Sequence, residues 1–303
     1  MKRTSRRTQT TVTVALAASA CAALTLAGPA PGSSAAETDP VVAAAGDIAC
    51  ASTVPTPTTC HHQATSDLLL DPAISRVLAL GDMQYPSASL AEFQTFYDPT
   101  WGRVIDKTDP IPGNHEYLTP DASGYFDYFG ARAGPRGLGY YSFDLGSWHL
   151  IALNSNIPVA EGTPQNNWLE QDLAADTSVC TLAFMHHPRF SSSGSFRSRT
   201  APLWQDLYGD RTDVVLAGHS HNYERFAQQT PRGVASARGI RQFVVGTGGI
   251  NLKPAKAPAA NSEVFQSHTF GVLRLTLHPT SYDWQFQPEA GQTWTDVGSG
   301  TCV

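Results

Sequence analysis

The chain has 303 residues, of which 41% are hydrophobic and 15% charged, and its formal net charge is −6 at pH 7. The first 36 residues contain four basic residues and no acidic ones, so the rest of the chain carries a net charge of −10. A surface this acidic argues against nucleic acid or an anionic membrane as the main partner, whereas bound metal ions would still allow a small anionic substrate.

The amino-terminal segment has the pattern of a secretory signal peptide. Basic residues precede an apolar, alanine-rich stretch from Val12 to Gly28, and Ser34-Ala35-Ala36 forms a small-residue cleavage site. The apolar stretch is slightly short for a membrane span, which needs about 20 residues. We therefore expect residues 1–36 to be removed, with secretion of one domain over residues 37–303. Ser5-Arg6-Arg7 makes the twin-arginine route an alternative way out of the cell.

Four cysteines remain beyond the leader: Cys50, Cys60, Cys180 and Cys302. An even number in an exported chain predicts two disulfides, with three connectivities open. Pairing Cys50 with Cys60 would close a loop rich in Pro and Thr. Pairing Cys180 with Cys302 would attach the C-terminus to a central strand. The alternative for Cys180 is a buried free thiol, because it lies in an apolar run.

The predicted elements alternate short apolar strands with helices. In chain order we predict a strand at Val41–Ala45, a helix at His62–Leu70, a strand at Arg76–Leu80, a helix at Leu90–Tyr97, a hairpin of Tyr140–Asp144 with Trp148–Asn154, a helix at Gln165–Ala175, and strands at Cys180–Met185, Val214–Ala217, Gln242–Val245, Gly271–Leu277 and Ser281–Gln287. Mobile loops are predicted at Ser191–Ser198 and Lys253–Asn261. This mixture indicates two sheets flanked by helices.

Five polar blocks lie at or near the ends of the apolar runs. They contain Asp47; Asp82 with Tyr85; Asn114, His115 and Glu116; His186 with His187; and His219 with His221. Residues just past the carboxyl ends of strands converge on one crevice in folds of this kind. Carboxylate, amide, phenol and imidazole donors together suit two ions of the Fe, Zn or Mn type. Two such ions, about 3.5–4 Å apart, share a bridging ligand, and Asp82 is the best candidate for it.

Each block also has a structural interpretation that needs no metal. A Gly-Asp pair after a strand is most often a turn. Gly113-Asn114-His115-Glu116 can begin a helix, with Asn114 as its cap. It is the occurrence of all five blocks in one chain that favours a metal centre.

The blocks resemble those of the calcineurin-like metallophosphoesterases, and most closely the purple acid phosphatases. No His follows Asp47 two residues later, Tyr85 stands three residues after Asp82, and the segment from His219 to Arg225 is similar to the signature of that family. The likeness extends from about Val41 to Gln287. It implies a mixed α/β fold, a four-layer αββα sandwich of two central mixed sheets flanked by helices, with a dinuclear metal site at the strand carboxyl ends.

The resemblance also implies roles for single residues. A ferric ion would be held by Asp47, Asp82, Tyr85 and His221, and a divalent Fe, Zn or Mn ion by Asp82, Asn114, His186 and His219. His115 would hold phosphate and protonate the leaving group. His187 and Arg189 are further candidates for substrate contacts. Plant members carry a His pair where this chain has Ser195 and Phe196, so the substrate rim differs, and Arg189, Arg197 and Arg199 are available nearby.

The implied activity is hydrolysis of phosphate monoesters by attack of a metal-bound hydroxide. The alternative on the same site is a phosphodiesterase that acts on nucleotides or phospholipid head groups. A protein that only binds phosphate would need a lost metal ligand, and none is lost.

Overall fold

The computed structural model describes residues 8–13, 39–194, 198–255 and 257–303. The chain divides into two units, Met1–Thr38 and Asp39–Val303. In the first unit, residues 8–13 are exposed and lie in no helix or strand; the predicted apolar stretch beyond residue 13 and the cleavage site lie outside the described residues. Within the described ranges, no helix has both the length and the apolar composition to cross a membrane.

The second unit is built on two mixed β-sheets. Its strands are β1 (Val41–Ala45), β2 (Ile74–Ala79), β3 (Thr108–Pro110), β4 (Tyr141–Leu145), β5 (Trp148–Leu153), β6 (Cys180–Met185), β7 (Val214–Ala217), β8 (Tyr223–Phe226), β9 (Arg241–Val245), β10 (Ser262–Gln266), β11 (Gly271–His278), β12 (Ser281–Pro288) and β13 (Val297–Thr301). The first sheet has the order β13-β12-β11-β1-β2-β3, and the second has the order β10-β8-β9-β7-β6-β5-β4.

Each sheet contains a run of parallel strands. In the first sheet β1, β2 and β3 are parallel, with Ala44 opposite Leu78 and Leu78 opposite Asp109. In the second sheet β5, β6, β7 and β9 are parallel. The remaining pairs in both sheets are antiparallel. Since parallel strands end at one edge of a sheet, the loops after these strands are brought together.

The helices connect and cover the strands. They are α1 (His62–Leu68), α2 (Leu90–Glu92), α3 (Ser123–Phe129), α4 (Pro164–Ala175) and α5 (Ala201–Gly209), and α2 continues directly as a π-helix over Phe93–Tyr97. Short 3-10 helices lie at Trp101–Lys107, Glu116–Leu118, Pro120–Ala122 and Gly130–Ala133.

The side chains of β6 show how the layers stack, because successive residues of a strand face opposite sides of the sheet. Leu182 and Phe184 join a core cluster shared with β1, β2 and β11 of the first sheet. Ala183 and Met185 join a second cluster with residues of α4 and α5. The helical segments Phe93–Tyr97 and Ser123–Phe129 contribute aromatic side chains to the cluster of the first sheet. The four-layer αββα arrangement predicted from the sequence is thus confirmed.

Most predicted elements are present with shifts of one or two residues at their ends. The strands β3, β8, β10 and β13 and the helices α3 and α5 escaped prediction. β13 has the sequence Val-Gly-Ser-Gly-Thr and lies at a sheet edge with alternating exposed residues. It carries no apolar pattern, and its small residues instead fit against aromatic rings: a Cβ on Gly298 would lie 2.3 Å from the Trp284 ring.

The structure contains both of the disulfides that were considered from the sequence. Cys50 pairs with Cys60, and Cys180 pairs with Cys302. The second bond joins β6 in the centre of one sheet to the residue that follows β13, so the alternative of a free thiol at Cys180 is wrong.

Candidate metal centre

The predicted metal ligands follow the carboxyl ends of parallel strands from both sheets. Asp47 comes two residues after β1, and Asp82 three residues after β2. His186 directly follows β6, and His219 lies two residues after β7. The sandwich therefore brings loops of two different sheets to one edge, where their side chains meet.

Three of these residues have a left-handed backbone, which is uncommon outside glycine. The φ angles are +58° at Asp47, +47° at Asp82 and +66° at His219. Such conformations cost about 1–3 kcal/mol each and persist where the surrounding structure holds them. Each one turns the chain sharply at a strand end and directs a donor side chain toward the same point.

Three donor groups converge on the phenol of Tyr85. Its Oη lies 3.0 Å from Asp47 Oδ1, 3.1 Å from Asp82 Oδ2 and 3.3 Å from His221 Nε2. His221 Nε2 lies 3.3 Å from Asp47 Oδ1. These are the four residues that the sequence assigns to the ferric ion.

A second group of donors shares one atom with the first. His186 Nε2 lies 3.3 Å from Asp82 Oδ2, 3.2 Å from Asn114 Oδ1 and 3.2 Å from His219 Nδ1. Asp82 Oδ2 thus belongs to both groups, as a bridging carboxylate requires. Ligands bound at 2.0–2.2 Å around one ion lie about 3.0–3.4 Å from each other, and the donor separations have this size. The residues present therefore fit two metal ions.

Backbone carbonyls fix the orientation of two of the imidazoles. His186 Nδ1 lies 2.8 Å from the Leu80 carbonyl, and His221 Nδ1 lies 2.8 Å from the Asn251 carbonyl. Because a carbonyl oxygen only accepts, Nδ1 carries the hydrogen in both rings and Nε2 is left to bind a metal. This arrangement is typical of metal-binding histidines.

The centre places acidic groups where water is excluded. Burial raises the pKa of Asp47, and burial together with the charges of Asp47 and Asp82 raises the pKa of Tyr85 well above its usual range. Burial opposes ionisation of Asp82 too, but the charge and hydrogen bond of His186 together with the charge and backbone amide of His115 outweigh it, and the pKa of Asp82 is lowered. Burial, followed by the charge of His186, lowers the pKa of His219 to about 3, so this ring is neutral, as a ligand must be. Bound cations would stabilise the ionised carboxylates and phenolate.

Glu116 organises the loops that carry Asp82 and Asn114. Its buried carboxylate accepts hydrogen bonds from the backbone N–H groups of Asp82 at 2.9 Å, Met83 at 2.9 Å and Gly113 at 2.6 Å. Glu116 begins a 3-10 helix, but Asn114 does not cap it. The helix-start interpretation of this block is therefore right about the helix and wrong about Asn114, whose side-chain oxygen faces His186.

Five of the seven donor residues line an open cavity of about 480 Å³. Its lining consists of Asp82, Tyr85, Asn114, His115, Ser193, His219, Ser220, His221, Ile250, Asn251 and Lys253. His115 lies on the wall, with its ring centroid 4.1 Å from that of Tyr85 and its Nε2 4.0 Å from Asp82 Oδ2. Its Nδ1 donates to the Pro86 carbonyl at 2.5 Å, which leaves Nε2 for a ligand in the cavity.

Two predicted substrate contacts are placed elsewhere. His187 is 4% exposed, bonds to the Ser155 hydroxyl at 2.8 Å and lies against the His219 ring rather than on the cavity wall. It forms a possible ligand trio with His186 and His219, so its position suits the metal side of the centre better than the substrate side. Arg189 donates through Nε and Nη2 to the Pro231 carbonyl, at 3.1 and 2.8 Å, and lines a different surface pocket. Their roles as substrate contacts stay predictions.

The remaining residues considered for the substrate rim lie either outside the described residues or away from the cavity lining. Ser195, Phe196 and Arg197 lie outside the described residues. Arg199 donates to the Ser155 carbonyl at 3.1 Å. Sequence reasoning missed Ser193, Asn251 and Lys253, which line the cavity but belong to segments that show only loop composition.

The sequence of this chain is similar to those of known phosphoesterases. Residues 42–223 match the model of the calcineurin-like phosphoesterase family. Purple acid phosphatase 23 of Arabidopsis thaliana is 31% identical over 208 residues, which is 55% of this chain and 45% of that protein. A nucleotide pyrophosphatase/phosphodiesterase of Hordeum vulgare is 25% identical over 241 residues, covering 66% of this chain and 64% of that protein.

The fold has a counterpart among solved structures. Purple acid phosphatase PPD1 from yellow lupin (Lupinus luteus) seeds superposes with a TM-score of 0.71 at 20% identity, over 86% of this chain and 53% of that chain. This likeness shows the fold alone, and this chain spans only about half the length of that plant protein.

The fold and the paired donor groups together define a two-metal phosphoesterase scaffold. The chain belongs to the calcineurin-like phosphoesterase family, a family of metal-dependent phosphoric ester hydrolases. Within that family the chain is similar to a purple acid phosphatase in sequence and to another in fold, which confirms the resemblance drawn from the sequence.

Proposed function

We propose that this protein is a secreted dinuclear-metal phosphatase that hydrolyses phosphate monoesters. Asp47, Tyr85 and His221 would hold a ferric ion, and Asn114, His186 and His219 would hold a divalent Fe, Zn or Mn ion, with Asp82 shared between them. The single observation that carries this proposal is the position of Asp82 Oδ2, which lies 3.1 Å from Tyr85 Oη and 3.3 Å from His186 Nε2.

The donor types support the assignment of the two ions. Phenolate and carboxylate oxygens are hard donors that favour a trivalent iron, whereas two imidazoles and a neutral amide suit a divalent ion. When bound, such a pair of ions neutralises phosphoryl charge and lowers the pKa of coordinated water.

His115 is positioned to complete the reaction. Since its Nδ1 hydrogen is held by the Pro86 carbonyl, the protonated ring would donate a proton from Nε2 to the oxygen of the leaving alcohol. Displacement at phosphorus is in line, so the ester oxygen must point toward His115 while water attacks from the opposite side. General acid catalysis of this kind contributes about 10²–10⁴-fold in rate.

Export of the protein is part of the proposal. The predicted leader over residues 1–36 would direct the remaining residues 37–303 out of the cell. Two disulfides, one of them closing a long segment from Cys180 to Cys302, support an oxidising compartment. Expression with and without residues 1–36, followed by assay of medium and cytoplasm, tests this part separately.

A phosphodiesterase is the second candidate, favoured by the likeness to a protein named nucleotide pyrophosphatase/phosphodiesterase. Turnover of 4-nitrophenyl phosphate against bis(4-nitrophenyl) phosphate separates the two activities. The proposal requires faster cleavage of the monoester; faster cleavage of the diester would select the second candidate.

The role of His115 has its own test. His115→Asn should slow hydrolysis of alkyl phosphates, whose leaving groups need a proton, by about 10²-fold or more, and aryl phosphates with acidic leaving groups much less. An equal loss for both substrates would contradict its role as the general acid.

A further inference from the structure

A disulfide packs against one of the predicted iron ligands. Cys50, Cys60, Tyr85 and Ile250 form an apolar cluster that is separate from the two larger core clusters of the sheets. None of the four is more than 9% exposed. Two of the four members are the halves of one cystine, so the disulfide and Ile250 are the apolar surface that this cluster offers to the tyrosine ring.

The first half of the disulfide adjoins the segment that carries Tyr85. The Ala49 amide donates to the Met83 carbonyl at 3.0 Å, and the Tyr85 amide donates to the Ala49 carbonyl at 2.8 Å. Cys50 directly follows Ala49 in the chain. A displacement of Cys50 would therefore be passed to the Tyr85 backbone through one residue and one hydrogen bond.

The second half of the disulfide adjoins the loop that carries Ile250. The His61 amide, which directly follows Cys60, donates to the Gly249 carbonyl at 2.9 Å. The next amide of that loop, that of Ile250, donates to the Asp47 carbonyl at 3.0 Å. Cys60 itself has a left-handed backbone with a φ of +66°, a conformation that persists where the surrounding structure holds it. The disulfide thus ties together two loops that both adjoin the predicted metal donors.

The stretch between the two cysteines has no core of its own. Residues 51–59 are exposed or half-buried and belong to none of the helices or of the strands β1–β13. One β-bridge pairs Thr56 with Thr59, and the Thr56 carbonyl lies 2.8 Å from His61 Nε2. Because exposed loops with few buried contacts open readily, the covalent bond fixes the separation of the two cysteines more firmly than the loop does.

The two ends of the Tyr85 side chain are held by different groups. Its Oη lies 3.0 Å from Asp47 Oδ1 and 3.1 Å from Asp82 Oδ2, so an ion bound there would fix the polar end. The ring is held by the cluster and by the half-buried ring of His115, whose centroid lies 4.1 Å away. The angle at which the phenolate would meet a ferric ion therefore depends on the packing around the ring, as for other groups that orient a metal ligand.

We propose that the Cys50–Cys60 disulfide is a positioning element for Tyr85, which holds the phenol in the orientation that a ferric ion requires and thereby raises the iron affinity of the centre. This role rests on the proposed function. The disulfide acts through Tyr85 and takes no part in the chemical step.

Removal of each disulfide in turn tests this role. Cys50→Ser with Cys60→Ser should lower the iron affinity about tenfold in competition with a chelator and should shift or weaken the violet band of the tyrosinate. Cys180→Ser with Cys302→Ser is the matched control. It opens a sequence separation of 122 instead of 10 and so should destabilise the whole fold more, while the band is unchanged and the iron affinity stays within about twofold of the wild type.

Hydrogen exchange of the metal-free protein gives a readout that needs no iron. Without the Cys50–Cys60 bond the Tyr85 amide should exchange about tenfold faster, because the local opening that frees it is no longer restrained. The control should exchange at the wild-type rate at this amide. Cys50→Ala with Cys60→Ala, which buries no new polar group, gives the same comparison if the serine variant does not fold.

The outcomes separate the positioning role from the iron assignment. Equal effects of the two double replacements on the band and on the Tyr85 amide would overturn the inference, because they would show a general loss of stability. A wild-type band and a wild-type exchange rate without the Cys50–Cys60 bond would overturn it too. A wild-type protein without any tyrosinate band would instead refute the iron assignment, and exchange of the Tyr85 amide would still decide the role of the disulfide.

Discussion

Glu116 offers the sharpest test of how the loops around the metal centre are held. Its Oε2 accepts from the amides of Asp82 and Gly113, and its Oε1 accepts from the amide of Met83. In Glu116→Gln one of these oxygens becomes an NH₂ group. Whichever way the amide turns, a donor then faces at least one of the three backbone N–H groups.

The number of hydrogen bonds affected sets the expected loss of stability. Burial, followed by the charge of Asp82, raises the pKa of Glu116 to about 7, so this carboxyl is a charged acceptor above that pH. There, each hydrogen bond to it contributes about 1.5–3 kcal/mol, and a buried N–H left without a partner adds a desolvation penalty of similar size. We expect Glu116→Gln to lower the free energy of unfolding of the metal-free protein by about 3 kcal/mol. Since the amides of Asp82 and Gly113 adjoin the donors of the centre, metal affinity should fall by about 10–100-fold.

Denaturant unfolding of the metal-free protein measures the first effect, and competition with a metal chelator measures the second. Glu92 provides a matched control because its carboxylate also accepts a backbone amide, that of Ser89, but at a half-buried helix start. Glu92→Gln should cost only about 0.5–1 kcal/mol and leave metal affinity unchanged. A Glu116→Gln protein that matched the wild type in both stability and metal affinity would refute the reasoning.

Two further predictions concern stability away from the centre. His149 bonds to Asp172 at 3.0 Å and to Asp144 at 2.8 Å, and these hydrogen bonds outweigh burial and raise its pKa to about 9. The protonated imidazole of His149 therefore stabilises the fold below pH 6.5, and this stabilisation is lost as the pH rises toward 9. The free energy of unfolding should fall by about 1–2 kcal/mol over this window, after allowance for screening by solvent. His149→Gln should flatten that part of the stability curve; an unchanged slope would contradict the assignment. Replacing Cys180 and Cys302 together by Ser opens a loop with a sequence separation of 122 and should cost about 4–5 kcal/mol in chemical unfolding, whereas a loss below about 1 kcal/mol would show that the bond constrains little.

The strands that position the centre were predictable because they are fully buried. β6 and β7 are buried at every position and are followed directly by His186 and Gly218, and their bounds agree with the sequence prediction. The strands that the sequence did not predict are stabilised by contacts with residues that are distant along the chain. β8 contains Glu224 and Arg225, whose side chains are paired with Ser192 and Asp296, and such tertiary partners leave no trace in a local pattern.

The metal donors were predictable for a different reason, since their chemistry and order along the chain are unusual. Their backbone conformation was not, because positive φ is uncommon outside glycine, yet Asp47 and Asp82 themselves have positive φ. The substrate rim was the least predictable part. Arg189 lies close to His186 in sequence but donates to the Pro231 carbonyl. Lys253 is distant in sequence from every donor, yet it lines the cavity and its backbone amide donates to the His221 carbonyl.

The Asp82 carboxylate would be shared between an iron–tyrosinate site and a divalent site. Metal analysis combined with a visible absorption spectrum tests it most directly. We expect two metal ions per chain, one of them iron, and a violet band that Tyr85→Phe removes while the fold is retained. A colourless wild-type protein that contains only Zn or Mn, or a band that survives in Tyr85→Phe, would contradict it.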